Sequence, residues 1–141
     1  MLNEQIKRIK KLMLVKEDTS IDLSRYMDST YLKTPEQAGI DEFETDKIVF
    51  DKIKDAIEHD MKLVMLRPEY VDTARQFIDS KGANVLVGTV IGFPNGDNSH
   101  GEKMDEALRA IQNGVDELDF VINYGAFKEG NTDLIKKEVT N

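Results

Sequence analysis

Apolar runs alternate with amphipathic, helix-forming segments along most of this chain. Two of the runs are short and strand-like, Lys62 to Leu66 and Asn84 to Ile91. A first strand at Ile21 to Leu32 and a fourth at Glu117 to Asn123 complete the series. Because β and α units alternate about four times, the sequence predicts an α/β fold with a parallel sheet and right-handed crossovers. An open doubly wound sheet and part of a (β/α)8 barrel both fit this pattern.

The first two helices between the strands can be placed from their capping and stop signals. A loop from Glu36 to Thr45 should lead into a helix that Thr45 caps and that runs to about His59. The next helix should begin at Arg67-Pro68 and stop at Gly82. Apolar residues at helical spacing predict the buried faces of the two helices: Val49, Ile53, Ala56 and Ile57 in the first, and Val71, Ala74 and Ile78 in the second.

A third helix follows the pattern Ser99-x-x-Glu102, which is typical of a capping box, and should stop at Gly114. Its predicted buried stripe consists of Met104, Ala107, Leu108 and Ile111. Thr132 or Asp133 should cap a last helix. An additional N-terminal amphipathic helix is predicted from apolar residues at helical spacing, namely Leu2, Ile6, Ile9 and Met13.

Composition narrows the functional classes. The 141 residues, 40% of them hydrophobic, suffice for a single domain with a real core. The net charge of −8 argues against a nucleic-acid partner, which basic patches normally bind. The absence of cysteine excludes disulfides, thiolate catalysis and cysteine–metal sites. No apolar run approaches the roughly 20 residues that a membrane span needs, and the first residues are too polar for a signal peptide. We therefore expect a cytoplasmic enzyme with no membrane partner.

Two stretches carry candidate chemistry. The G-F-P-x-G of Gly92 to Gly96 lies between a strand and a helix, where phosphate-binding loops often occur, but a tight βα turn without a ligand explains it as well or better. In the fourth strand, Asp119 and Asn123 share one face because strand side chains alternate with period two. An acid and an amide on a strand that should be buried need partners, which indicates a lined site.

Four segments taken together resemble the deoxyribose-phosphate aldolase family. They are MDSTYL at Met27 to Leu32, VIGFPNG at Val90 to Gly96, the E-A-x-x-A-I-x-x-G helix from Glu106 to Gly114, and DELDFVINYGAFKEGN at Asp116 to Asn131. Their order and approximate spacing match the family across nearly the whole chain. The resemblance implies a (β/α)8 barrel and a class I lyase that cleaves 2-deoxyribose 5-phosphate to acetaldehyde and glyceraldehyde 3-phosphate. It implies no metal and no other cofactor.

The resemblance also implies roles for individual residues. Asp119 is similar to the family's active-site aspartate, which takes part in proton transfer with the catalytic lysines. Asp28 and Thr30, expected at the end of the first strand, resemble the acid and hydroxyl that line the substrate pocket, although a turn or helix cap explains them equally well. Asn123 should orient the site or serve as a hydrogen-bonding residue at the strand end.

The chain departs from the family in one respect that bears directly on activity. A class I aldolase needs a lysine amine made nucleophilic by burial or by a neighbouring cation, and in the family that lysine lies on a later strand. Lys33, Lys62 and Lys103 should fall at strand ends or on a helix, and Lys128 should be solvated. We therefore expect residues 1–141 to form a single domain, the N-terminal half of the barrel with about four βα units, inactive alone. The loop from Thr34 to Thr45 is also longer than is usual in the family.

The expected partners are a phosphorylated sugar or aldehyde substrate and further copies of the chain, since a half-barrel would leave two sheet edges unpaired. Two alternatives from other classes stay open. One is a non-catalytic module that binds a phosphorylated metabolite at the Gly92–Gly96 loop. The other is a structural half-barrel that functions only after it assembles with another half.

Overall fold

The computed structural model describes Glu4, Gln5, Lys7 and residues 22–140. Glu4, Gln5 and Lys7 have helical backbone. The predicted N-terminal helix otherwise lies outside the described residues, as do the four apolar positions on which that prediction depends. None of the helices in the described residues is long and apolar enough to cross a membrane.

Four parallel strands form the centre of the fold. They are β1 (Asp28–Tyr31), β2 (Leu63–Leu66), β3 (Leu86–Ile91) and β4 (Glu117–Phe120). Their order in the sheet is β1-β2-β3-β4, and every neighbouring pair is parallel. The predicted parallel α/β sheet is therefore confirmed. The first strand is shorter than predicted, because residues Leu23–Tyr26 form a 3-10 helix that Asp22 caps.

Helices connect the strands in the predicted places. Six α-helices occur within residues 22–140: α1 (Pro35–Ala38), α2 (Glu42–Glu58), α3 (Val71–Ser80), α4 (His100–Gln112), α5 (Tyr124–Lys128) and α6 (Thr132–Thr140). A 3-10 turn, Pro68–Tyr70, leads into α3. The capping box of Ser99 and Glu102 at the start of α4 is present as predicted. At α6, Asn131 Oδ1 accepts a hydrogen bond from Leu134 N at 3.2 Å, so the cap is Asn131 and not Thr132 or Asp133.

The predicted loop from Glu36 to Thr45 is wrong in its detail. Thr34 caps the short helix α1, and Asp41, not Thr45, caps α2 by accepting a hydrogen bond from Glu44 N at 2.8 Å. Thr45 is a buried residue inside the first turn of α2, where its hydroxyl donates to the carbonyl of Asp41 at 3.0 Å. Because Asp41 and Thr45 are both good caps, sequence alone did not separate them.

The main core fills the space between the sheet and helices α2 and α3. Both predicted helix faces are buried there, with Ile57 only half-buried. They pack on the strand residues that face the helices, among them Val64, Leu66 and Val87. The opposite face of the sheet carries a smaller cluster of Leu63, Met65 and Val90, covered by Leu32, Leu86 and Phe93. The strands thus bury apolar residues on both faces, as parallel strands do.

The predicted buried stripe of α4 is wrong. Met104 is 41% exposed, Leu108 50% and Ile111 57%, whereas Lys103 and Ala110 are buried. The helix is turned so that Lys103 and Glu106, three residues apart on one face, reach backbone groups at the ends of β3 and β4. Burying those polar backbone groups without a partner would cost more than leaving apolar side chains in contact with water.

Candidate functional site

Asp119 and Thr30 project from the same face of the sheet but stand in different rows. A row is the set of residues that the strand register aligns across the sheet. The strand register aligns Thr30, Met65, Gly88 and Glu117 across the sheet. Asp119 pairs with Val90, two residues further along, and is exposed. Because residues two apart on a strand share a face, this is the face that carries the smaller apolar cluster. Asp119 therefore lies toward the carboxyl end of β4, on the side away from helices α2 and α3.

Asp28 lies further from Asp119 than the sequence indicated. It begins β1 instead of ending it and aligns with Leu63 and Leu86. Its row is thus four residues from that of Asp119, about 13 Å along the strands. Both side chains are exposed and share a face, but β1 and β4 are also separated by the two intervening strands. The structure does not bring Asp28, Thr30 and Asp119 into mutual contact.

Asn123 is a helix cap and does not belong to β4. The strand ends at Phe120, and the Asn123 side chain accepts a hydrogen bond from Ala126 N at 2.8 Å at the start of α5. Its own backbone N–H donates to Glu138 Oε2 at 3.0 Å. The amide that the sequence placed beside Asp119 is thus engaged in local structure just beyond the strand.

The Gly92–Gly96 loop is a tight turn whose glycine amides are already occupied. Gly92 N donates to Glu106 Oε2 at 2.8 Å, and Gly96 N donates to the Gly92 carbonyl at 2.7 Å. The peptide bond between Phe93 and Pro94 is cis. Because a phosphate cradle needs free amide groups, these contacts favour the tight-turn interpretation over a phosphate-binding loop.

The same loop packs directly against the chain that leaves β4. A Cβ at Gly96, whose φ is 67°, would collide with the backbone carbonyl of Ile122. The carbonyl of Asn95 accepts a hydrogen bond from Tyr124 N at 3.1 Å. Only glycine permits this approach, so the β3–α4 loop and the β4–α5 connection form one unit at the carboxyl edge of the sheet.

Behind this unit lies a buried ion pair that the sequence did not reveal. Lys103 of α4 is 2% exposed, and its Nζ lies 2.9 Å from Glu138 Oε1 of α6. The ammonium also donates to the Val121 carbonyl at 3.0 Å and lies 4.9 Å from the centre of the Phe120 ring. A charge buried to this degree needs several partners, and these contacts supply them.

Glu138 is held in its charged form by its neighbours. Burial alone would raise the pKa of its carboxyl group, but the hydrogen bonds from Lys103 Nζ and Asn123 N, together with the lysine charge, hold that pKa below its ordinary value of 4.5. An amine can attack a carbonyl only after it has lost a proton. Lys103 Nζ donates its protons to Glu138 and to the Val121 carbonyl, so it is a poor candidate for a nucleophile. Lys103 is therefore not a substitute for a Schiff-base lysine.

A cavity of about 410 Å³ lies beside the ion pair. One wall comes from the start of α4, including Ser99 and His100, and the other from α6, including Lys137 and Glu138. Asn123 contributes to it, whereas Asp119, Asp28 and Thr30 do not. The cavity thus belongs to the helix layer and is distinct from the sheet face that carries Asp119. Across the described ranges, no cluster of three or more histidine, aspartate or glutamate side chains is arranged to hold a metal ion.

Comparison with curated proteins supports the family resemblance inferred from the sequence. The chain is 40% identical over 119 residues to a deoxyribose-phosphate aldolase of Staphylococcus carnosus, which covers 84% of this chain and 50% of that protein. It is 34% identical to the deoxyribose-phosphate aldolase of Thermococcus gammatolerans, over 84% of this chain and 49% of the relative. The chain spans about half the length of the curated relatives it matches. No family model matches it.

Solved structures give the same result for the fold. A Coccidioides immitis protein provisionally described as a deoxyribose-phosphate aldolase superposes with a TM-score of 0.70 at 31% identity, over 84% of this chain and 43% of that one. The aldolase QR15 superposes with a TM-score of 0.65 at 33% identity, over 84% and 48% of the two chains. These matches confirm the resemblance to deoxyribose-phosphate aldolases and identify the four-stranded sheet as about half of their (β/α)8 barrel.

Proposed function

We propose that this chain is the N-terminal half of a class I deoxyribose-phosphate aldolase, which reversibly cleaves 2-deoxy-D-ribose 5-phosphate to acetaldehyde and D-glyceraldehyde 3-phosphate. One observation supports the proposal: the chain that carries the DELDFVIN motif is also homologous to proteins named for this activity. Such an enzyme would act in the cytoplasm, in the breakdown of deoxyribonucleotides, and would need no metal.

In this proposal Asp119 is the acid–base residue. It is exposed toward the carboxyl end of β4, and the active sites of (β/α)8 barrels lie at the carboxyl ends of their strands. Its carboxylate would exchange protons with the Schiff-base lysine and the bound substrate. No described strand carries a lysine, so the amine that forms the Schiff base would have to come from outside these four strands.

The pocket residues inferred from the resemblance receive different support. Thr30 shares the sheet face of Asp119, and we propose that its hydroxyl lines the pocket. Asn123 would act through the backbone that it caps, not by direct contact with substrate. Asp28 stands at the amino end of β1, so of the three it is the weakest candidate for contact with a substrate bound at the carboxyl edge.

Borohydride trapping tests the proposal. The complete protein that contains this chain is incubated with acetaldehyde and reduced, and the modified lysine is located by mass spectrometry. We expect one stoichiometric adduct on a lysine outside residues 1–141, and no adduct on the 141-residue chain alone. Omission of acetaldehyde is the control. A stoichiometric adduct on any lysine of this chain would contradict the proposed division of roles, and no adduct and no aldol cleavage in the complete protein would contradict the activity.

We also propose that the protein is a homo-oligomer. Strands β1 and β4 each pair on one side only among the described residues, and Met104, Leu108 and Ile111 of α4 form an exposed apolar stripe. Unpaired edges and exposed apolar stripes favour association. A related aldolase fold from Aeropyrum pernix is described as a tetramer. Light scattering of the 141-residue chain, in which both edges stay unpaired, should show a mass above that of one chain, and a stable monomer at high micromolar concentration would contradict this.

A further inference from the structure

We propose that the buried pair of Lys103 and Glu138 is a positioning device that fixes the backbone leaving β4 and thereby sets the direction in which Asp119 projects. This inference rests on the catalytic role proposed for Asp119, and it assigns a task to two residues that no motif identified. Neither would touch substrate, so both are positioning residues.

The hydrogen bonds of the pair end on the main chain that follows β4. Lys103 Nζ donates to the carbonyl of Val121 at 3.0 Å, and Glu138 Oε2 accepts from the backbone N–H of Asn123 at 3.0 Å. The two residues are joined to each other at 2.9 Å. The pair thus holds main-chain atoms on both sides of Ile122, so its contacts determine the path of the backbone.

The energetics of charge burial also favour a positioning role for the pair. Removing two charges from water costs several kcal/mol, and a buried ion pair is often no more stabilising than well-packed apolar residues of similar volume. Side-chain exposures of 2% for Lys103 and 5% for Glu138 place this pair in that class. What an apolar replacement cannot supply is direction, because charge-assisted hydrogen bonds are short and angle-dependent.

Residues 121–123 are also held from the side opposite the ion pair. Val121 N donates to the Ile91 carbonyl at 2.9 Å, which extends the β3–β4 pairing by one residue. Gly96 packs on the Ile122 backbone without room for a Cβ. Residues 121–123 are therefore clamped between β3 and its loop on one side and the ion pair on the other, and Asp119 lies only two residues upstream.

Apolar replacement of both charges separates positioning from simple stabilisation. Lys103→Met together with Glu138→Leu removes the charges and keeps most of the volume. Asp79→Asn is the matched control, because it breaks another ion pair, between Arg75 Nη2 and Asp79 Oδ1 at 2.7 Å, which does not contact the chain after β4. All variants are made in the complete protein.

We expect the double variant to stay folded but to unfold several degrees below the parent, because the Val121 carbonyl and the Asn123 N–H lose their hydrogen-bond partners. Its kcat for 2-deoxyribose 5-phosphate should fall about tenfold or more, with KM changed by about twofold at most, because a misplaced acid–base group slows the chemical step without weakening substrate binding. Asp79→Asn should retain the parental kcat. A folded double variant with parental kcat would overturn the inference.

Amide hydrogen exchange on the same proteins supplies a readout independent of aldolase activity. In the double variant, exchange at Val121 and Asn123 should accelerate about tenfold or more, while exchange in the centre of β3 stays unchanged. Unchanged exchange at Val121 and Asn123 would also overturn the inference. If exchange accelerates but the parent protein has no aldolase activity, the proposed function fails while the effect of the pair on this backbone stands.

Discussion

Gly92 lies so close to Lys103 that a Cβ at this glycine would stand 2.9 Å from Lys103 Cε. Lysine side chains can usually swing aside, but this one is held by Glu138 and the Val121 carbonyl. Gly92 directly follows the last residue of β3, and only glycine fits at this position beside the buried Lys103 side chain. The absence of a side chain at Gly92 is part of what lets α4 approach the sheet.

Gly92→Ala should destabilise the protein for two reasons that a control can separate. The φ of 68° costs any L-residue about 1–2 kcal/mol, and the clash with Lys103 should add about 1–3 kcal/mol. Gly39→Ala is the matched control, because Gly39 has a φ of 69° and open space where its Cβ would lie. Urea unfolding of both variants gives the difference, and equal losses would show that the clash is relieved without cost.

Glu138 should make the free energy of unfolding depend on pH in the acid range. Its pKa in the folded protein lies below the ordinary value of 4.5, so the unfolded chain binds the proton more tightly. The stability it contributes is therefore fully present above about pH 5 and is lost as the pH falls through the folded-state pKa.

Glu138→Gln measures this effect directly. At neutral pH the variant should be less stable by about 3 kcal/mol, since Lys103 keeps its charge but loses its partner. The difference between parent and variant should shrink as the pH falls through the folded-state pKa of Glu138, because the parent carboxylate then becomes neutral as well. Urea titrations at a series of pH values check this, and a difference that does not change with pH would contradict it.

Asp119→Asn should reduce aldolase turnover of the complete protein by about 10²–10⁴, the usual contribution of a general acid–base group. Asparagine keeps the shape of the side chain but removes the charge and the proton acceptor. Glu117→Gln is the control, because Glu117 is an exposed carboxylate on the same face of the same strand. Steady-state kinetics are compared with circular dichroism as the folding check. A folded Asp119→Asn variant with parental turnover would remove Asp119 from the mechanism.

The orientation of α4 can be tested by two truncations to alanine. Ile78 of α3 is fully buried, so Ile78→Ala should cost about 2–5 kcal/mol. Leu108 of α4 is half exposed, and Leu108→Ala should cost less than about 1 kcal/mol. Denaturant unfolding of both variants checks the comparison. If Leu108→Ala loses as much stability as Ile78→Ala, then Leu108 is buried, and the apolar stripe of α4 packs in the core as the sequence predicted.

Sequence patterns correctly predicted the sheet. They also predicted the buried faces of the helices that contact the sheet only through apolar side chains. Helices α2 and α3 bury the residues expected from their spacing, because the burial of apolar surface decides how these two helices are oriented. The same reasoning failed for α4, where backbone groups at the strand ends required Lys103 and Glu106 to face inward. Lys103, Glu106 and Ala110 do share one helical face, which is the signal that could have indicated this.

The candidate site was predictable only in part for a related reason. The strand alternation and the family resemblance both selected Asp119, and the structure places it on an exposed face of β4. The partnership of Lys103 with Glu138 spans 35 residues and has no local pattern, so only the folded chain reveals it. Asn123 was assigned to a strand because period-two alternation continues past Phe120 in the sequence, although the backbone there turns into α5.

The order of strands in the sheet also has a consequence for how the chain folds as it is made. Because the order β1-β2-β3-β4 follows the chain, each strand emerging from the ribosome finds its partner already synthesised. Each pairing closes a loop that contains at least one helix, which is the slow event in forming parallel sheets. This part of the protein can therefore assemble in step with translation, one βα unit at a time, with each new strand covering the exposed edge left by the last.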